Sequence, residues 1–269
     1  MKRLFFLSIS IFLFCSISAQ NIGSTHSNND TVNSIQHKNR ISGYVSINYG
    51  IGTPLGKFGT YETAPNGTGS GLAYENGYGY ATQNNMWGIT AGILIKKIGL
   101  YIIGKVNYNL FGFDMNQYLK TAGQSPFGNT TYYPISHTNY MIYSYMSGIS
   151  SNIGTGNITL HFSLLFGAQS CTTPDIKYLG YYPYTRYSGA TGMWEIESTT
   201  GLHACVDIGA SIAYTFAKKI MLLAGFDFLL APGAHFSTNG QAGVPTFSNY
   251  VFPLSVSTSN ISMGLGYKF

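Results

Sequence analysis

The chain has 269 residues, of which only 9% are charged, while aromatics reach 15% and glycines number 33. Soluble domains carry roughly 25% charged residues, so an ordinary soluble domain is excluded. A mean hydropathy of +0.07, with no apolar run of about 20 residues, excludes a helical membrane protein, and the net charge of +5 is too mild and too scattered to point to nucleic acid.

Lys2 and Arg3, an apolar run over 4–17, and Ser18-Ala19 before Gln20 read as a secretory leader over residues 1–19. Cys15 is expected to leave with it; Phe14 stands where a lipoprotein anchor needs a small residue. Residues 20–40 are rich in Ser, Asn and Thr without periodicity, which predicts a flexible periplasmic tail.

From residue 41 apolar side chains recur at every second position, the period of a strand with one greasy face. The first strand, 41–51, sets Ile41, Val45, Ile47, Tyr49 and Ile51 outward, and a long Gly/Asn/Tyr stretch follows over 52–85. The second, 86–95, carries Trp87, Ile89, Ala91, Ile93 and Ile95 outward, and the short turn Lys96-Lys97-Ile98-Gly99 leads to the third, 100–111. There Leu100, Ile102, Val106, Tyr108 and Leu110 point out, and Tyr101, Lys105, Asn107 and Asn109 point in. After a long stretch over 112–139, the fourth strand, 140–151, is ambiguous, because Tyr143 and Tyr145 oppose Ile142 and Met146.

A Gly/Asn/Thr turn over 152–157 gives way to the fifth strand, 158–169, with Ile158, Leu160, Phe162, Leu164 and Phe166 outward. A long stretch over 170–202 precedes the clearest signal in the chain, a hairpin over 203–231. Val206, Ile208, Ala210, Ile212, Tyr214 and Phe216 alternate before the turn Ala217-Lys218-Lys219, and Ile220, Leu222, Ala224, Phe226, Phe228 and Leu230 after it. The last long stretch, 232–253, leads to Ile261, Met263, Leu265, Tyr267 and Phe269.

Eight strands with connections alternating long and short predict an all-β fold, an eight-stranded antiparallel up-and-down transmembrane β-barrel over 41–269. Short turns and both termini then lie in the periplasm and long loops outside, and the first and last strands must pair because no open edge survives in lipid. Tyr49, Trp87, Tyr108 and Tyr140 toward the long loops, and Tyr214, Phe216, Tyr267 and Phe269 toward the turns, predict the two aromatic girdles.

With its leader, its long and short rhythm and the terminal Ile261-x-Met263-x-Leu265-x-Tyr267-x-Phe269, the chain resembles the small OmpA-like outer-membrane barrels of Gram-negative bacteria. The resemblance implies residence in the outer membrane, contact with lipid and lipopolysaccharide, and a C-terminal signal around Tyr267 and Phe269 read by the outer-membrane assembly machinery. It implies no cofactor. The peptidoglycan-binding domain of the larger relatives is not expected after Phe269.

An eight-stranded barrel is just wide enough to be filled by its own side chains. Asp207 and Asp227 share the inward face of the hairpin and are expected to be neighbours, with Lys105, His161 or His203 supplying the balancing cation in a structural lumenal network. His161 and Ser163 share a strand face and resemble the His-x-Ser of outer-membrane lipid A deacylases, with Asp175 as an acidic third member. Against this, the pair points inward rather than to lipid, and Leu164 stands where that family favours Asn. Cys171 and Cys205 flank the third long stretch with inward phase; a disulfide and two free thiols are both open readings.

The histidines lack metal-ligand spacing. The run Gly52-Thr53-Pro54-Leu55-Gly56-Lys57 has the wrong spacing for a phosphate loop. Loop tyrosines, among them Tyr61, Tyr74, Tyr78, Tyr80, Tyr132, Tyr133, Tyr178, Tyr181, Tyr182, Tyr184 and Tyr187, resemble the composition of adaptable binding surfaces. Residues 176–184 and 193–198 are candidates to extend strands above the membrane. The function expected is structural or one of surface interaction, binding a ligand through the four long loops. The alternatives are a lipid-modifying enzyme built on His161 and Ser163, and a narrow channel.

Overall fold

A computed structural model describes residues 42–60, 78–95, 98–122, 131–154, 156–182, 190–242 and 246–269. The leader with Cys15, the tail, Ile41, Lys96, Lys97, Tyr61, Tyr74, Tyr184 and Tyr187 lie outside the described residues.

The alternating segments are the wall. The strands β1 (Gly43–Pro54), β3 (Asn84–Ile95), β4 (Leu100–Phe113), β6 (Tyr140–Ile153), β7 (Ile158–Thr172), β10 (Thr200–Phe216), β11 (Ile220–Leu230) and β14 (Thr258–Lys268) pair antiparallel, each with its two neighbours. The last pairs with the first, Val45 opposite Tyr267 and Ile47 opposite Leu265, so the ring has no open edge. A two-residue strand, β2 (Ala81–Thr82), lies against the upper end of β4.

Period two decides what faces lipid. Ile47, Trp87, Ile89, Ile102, Ile208, Phe226, Phe228 and Leu265 stand 40% or more exposed on the outside, while Ser46, Asn107, Asp207 and Asp227 on the opposite phase are buried. Hydrocarbon covers such a belt at no cost, whereas a cation at its midplane costs about 2–4 kcal/mol.

The ambiguous strand, β6, resolves with Met141, Tyr143 and Ile149 outward and Ile142, Ser144 and Met146 inward. Its outward tyrosine belongs to the girdle: the ring of Tyr143 lies 4.9 Å from that of Tyr108, and Tyr49 and Trp87 form a second such pair at 4.5 Å. Tyr140 is a correction to the girdle assignment. It is fully buried and its hydroxyl donates to the Gly79 carbonyl at 2.6 Å, because position 140 shares the inward phase of Ile142, Ser144 and Met146.

Three of the long connections are built of strand. Residues of β5 (Thr131–His137), β8 (Ile176–Tyr182), β9 (Ala190–Ile196), β12 (Ala234–Ala242) and β13 (Thr246–Leu254) form a second antiparallel sheet, ordered β13-β12-β9-β8-β5. This order repeats that of the wall strands β14-β11-β10-β7-β6 to which they connect directly. Five wall strands therefore continue above the membrane after a break of two or three residues.

A collar of hydrogen bonds bridges these breaks. The Thr138 N–H donates to the Asp175 carbonyl at 3.0 Å, and the Asp175 N–H to Thr138 Oγ1 at 2.8 Å. The Thr173 N–H donates to the Thr199 carbonyl at 2.8 Å, and the Thr199 N–H returns to Thr173 Oγ1 at 3.0 Å. On the far side the Ala231 N–H donates to Ser257 Oγ at 3.2 Å. Thr and Ser suit these positions because their hydroxyls replace ladder partners that the interrupted backbone cannot supply.

The inner face of the upper sheet packs a second core. Ile176, Tyr178, Ile196, Phe236, Phe252 and Leu254 join Phe58, Tyr80, Phe111, Phe113 and Tyr140 from the rim, and Met115, Tyr118 and Leu119 from the helix α1 (Met115–Ala122). That helix starts where Asp114 Oδ1 accepts the Gln117 N–H at 3.0 Å, a side-chain cap for one of its free donors. Edge-to-face contacts run from Tyr80 to Tyr118 and on to Tyr178, and Trp194 stacks on Tyr178 at 5.8 Å and 11°. Aromatic packing of this kind adds about 0.5–1.5 kcal/mol per pair beyond area burial.

Candidate functional site

A buried charge cluster crosses the lumen. Lys105 on β4 reaches across to β10 and β11: its Nζ lies 2.8 Å from Asp207 Oδ2 and 2.5 Å from Asp227 Oδ1. The strands β4 and β11 are four places apart in the ring of eight, so this ammonium ties opposite walls. Asn260 Nδ2 donates to the other Asp227 oxygen at 2.8 Å. Asp207 Oδ1 is buried without a partner among the described residues, so the cluster holds two carboxylates to one ammonium.

Lumenal asparagines stand opposite glycines in the ladders: Asn107 faces Gly88, and Asn48 faces Gly264. A Cβ at Gly88 would lie 2.5 Å from Asn107 Oδ1, so the missing side chain is what lets the amide lie flat on the wall. Toward the turns Tyr44, Tyr101, Ile103, Met146, Leu165 and Met221 pack the interior.

Neither candidate cationic histidine makes an ion pair with the carboxylates among the described residues. The His161 ring packs 5.9 Å from those of both Tyr44 and Tyr101. His203 lies four residues from Asp207 on β10, about 13 Å along the strand, with its ring 5.7 Å from Phe236. Of the three cations weighed from the sequence, Lys105 is the one against the aspartates.

His161 and Ser163 line one small polar cavity, but no hydrogen bond joins them among the described residues. Asp175 lies twelve residues beyond Ser163 on the same extended course, roughly 40 Å away at about 3.3 Å per residue, with its backbone engaged in the collar. The catalytic trio is therefore not assembled. Its acidic member belongs to the opposite end of the wall.

A bond between Cys171 and Cys205 is also corrected: both are free, buried thiols. Cys171 pairs with Gly201 and Cys205 with Gly167, so the two are staggered by four residues. That puts them about 13 Å apart, beyond the Cα separation of about 7 Å that a disulfide bridges. The expected result is unchanged gel migration on reduction, with thiol labelling only after the barrel is unfolded; labelling of the folded protein at either cysteine would contradict this burial.

Two of the loop tyrosines read as an adaptable surface are instead interior. Tyr80 and Tyr178 are almost completely buried, whereas Tyr133 is 56% and Tyr181 39% exposed. The signal for this core is the alternation of Ile176 and Tyr178 against Lys177 and Leu179, which prolongs strand period past the membrane. On the outer face Tyr133 stands opposite Leu179, and Leu179 opposite Met193, a row across β5, β8 and β9 with Ile135 and Tyr181 beside it. All five are at least 39% exposed. Below them Lys177 Nζ meets Glu195 Oε1 at 2.6 Å, and that hydrogen bond raises the lysine pKa above its ordinary value.

No protein-family model matches the chain, and no curated protein sequence does. Among solved structures the chain is similar to Ail, the attachment invasion locus protein of Yersinia pestis, at 13% identity over 85% of this chain and 99% of that one, TM-score 0.41. It is similar to Neisserial surface protein A at 14% identity, covering 84% and 97%, TM-score 0.38. A major outer membrane protein of Thermus thermophilus is similar at 13% identity, covering 84% and 99%, TM-score 0.41. These are likenesses of fold, and the assignment rests on the geometry of the chain itself. A bilayer is the medium that covers a continuous apolar belt around a closed ring of strands, and the chain is an eight-stranded antiparallel β-barrel of the outer-membrane type.

Proposed function

We propose that the barrel anchors a rigid surface head whose outer sheet face binds a ligand outside the cell. The observation that carries this is the exposed row Tyr133, Leu179 and Met193, held in register on a sheet whose other face is a packed aromatic core. The row does not belong to the lipid belt. The Lys177–Glu195 ion pair and the hydroxyl pair Thr172 and Thr200, 2.8 Å apart, lie between them. An apolar patch held in water at that height is a contact surface, and its fixed backbone lowers the ordering cost of binding.

The lumenal cross-tie favours this reading over a channel, and the unassembled trio favours it over an enzyme. The test is adhesion of cells displaying the natural chain or a triple variant, Tyr133→Ser, Leu179→Ser and Met193→Ser, to eukaryotic cell monolayers and to each other. The expected result is a drop of tenfold or more with equal surface display. Equal binding by the triple variant would remove the proposal.

A further inference from the structure

We infer that the turn between β10 and β11, together with Tyr267, is a headgroup site for an anionic phospholipid of the leaflet at the periplasmic end. Three observations carry it. First, Lys219 is placed rather than trailing in solvent. Its Nζ donates to the Tyr267 hydroxyl at 3.0 Å and stands 5.4 Å from the centre of that ring. Tyr267 faces lipid, 44% exposed, with Leu265 below it on β14. The ammonium is thus held on the outside of the wall at the water boundary, where phosphates lie, above apolar residues that take acyl chains.

Second, the backbone of the turn is strained in order to present its lysines. Ala217 and Lys218 adopt φ values of 50° and 65°, a left-handed conformation that Gly, Asn or Asp fills far more readily. The tight link from Phe216 to Ile220 closes the ladder directly, and the Lys268 N–H donates to the Lys219 carbonyl at 2.6 Å, so the backbone that carries the lysines is fixed. Such a conformation persists because the closed ladder on either side over-determines it.

Third, among the described residues no acidic side chain lies at this end. The described acidic side chains lie in the lumen, as Asp207 and Asp227, or at and above the opposite rim, as Asp114, Asp175, Glu195 and Glu197. Lys218 and Lys219 have no carboxylate side chain within ion-pair distance among the described residues. A lysine near an anionic lipid surface strengthens binding about fivefold.

The experiment is native mass spectrometry of the full chain released from micelles containing equal amounts of phosphatidylglycerol and phosphatidylcholine. The natural chain is expected to retain phosphatidylglycerol about fivefold or more over phosphatidylcholine. Lys219→Gln and Lys218→Gly are each expected to bring the ratio close to parity. Lys218→Gly also relieves the turn and is expected to raise resistance to unfolding, whereas Ala217→Gly relieves it with the preference unchanged. A ratio near one in the natural chain, or an unaltered ratio in both lysine variants, overturns the inference. Salt at 0.5 M should erase the preference of the natural chain, which tests the site even where a variant fails to fold; persistence in salt overturns it. Release of the lipid by millimolar glycerol phosphate would assign the site to free phosphates and overturn the lipid assignment.

Discussion

Replacing Lys105 with methionine is expected to destabilise the barrel by about 3–5 kcal/mol, the loss that follows when one partner of a buried ionic cluster is removed and the other charges stay. Asp207 and Asp227 would face each other in a packed lumen with no cation against either. Asp207→Asn is expected to behave quite differently. It removes the carboxylate whose Oδ1 has no partner among the described residues and leaves Lys105 matched to Asp227. Its effect on unfolding in urea, followed by heat-modifiable gel migration in lipid vesicles, should stay within about 1 kcal/mol, the net scale of a single hydrogen bond. Adding Asp207→Asn and Asp227→Asn to Lys105→Met should restore much of the loss. If the lysine variant unfolds at the same urea concentration as the natural chain, the cross-tie contributes nothing measurable to the wall.

The second large effect is expected at Tyr178. Its ring is fully buried, with Tyr118 and Tyr132 edge-on at 5.9 and 5.2 Å and Trp194 stacked upon it. Truncation to alanine removes an aromatic side chain from a close-packed core, a change that costs about 3–5 kcal/mol. The cost should fall on the head and leave the wall in place, since the hydrocarbon belt and ladders do not depend on that ring. Protease added to intact cells should then cleave residues between β7 and β10 while the barrel keeps its heat-modifiable migration. A variant as resistant as the natural chain would show that the upper core is not what orders the sheet.

The wall was legible because its rule is local. Alternation in Ile158 to Phe166 or in Ile220 to Leu230 is a statement about two faces, and lipid enforces it at each position without reference to the rest of the fold. Strand ends ran longer than their sequence signal, to Thr172 in β7 and from Thr200 in β10, because beyond the lipid belt apolar and polar side chains face outward alike. The facing of β6 was hidden for a related reason: its upper end lies between lipid and the second core, so both faces hold apolar residues.

The upper sheet was only half visible. The segments expected over 176–184 and 193–198 overlap β8 and β9, with 183–184 outside the described residues and 197–198 in the break before β10, but β5, β12 and β13 were concealed among Gly, Asn, Ser and Tyr. Their pairing is non-local, between long connections, and no short-range pattern encodes it. The lumenal carboxylates could be placed as neighbours from hairpin register alone. Which cation served them depended on reach across the barrel, and the separation of Cys171 from Cys205 depended on a stagger between β7 and β10 that loop length does not reveal.

The collar of Thr138, Thr173, Thr199 and Ser257 gives the molecule a seam. Below it the wall has its own closure, while the core above it is shared, taking Phe111, Phe113 and Tyr140 from the wall strands. Substitutions on the outer face distal to that line leave the outward alternation that meets hydrocarbon unchanged. It is also where an engineer would cut: a foreign epitope spliced in above these four residues meets five strand ends of the wall.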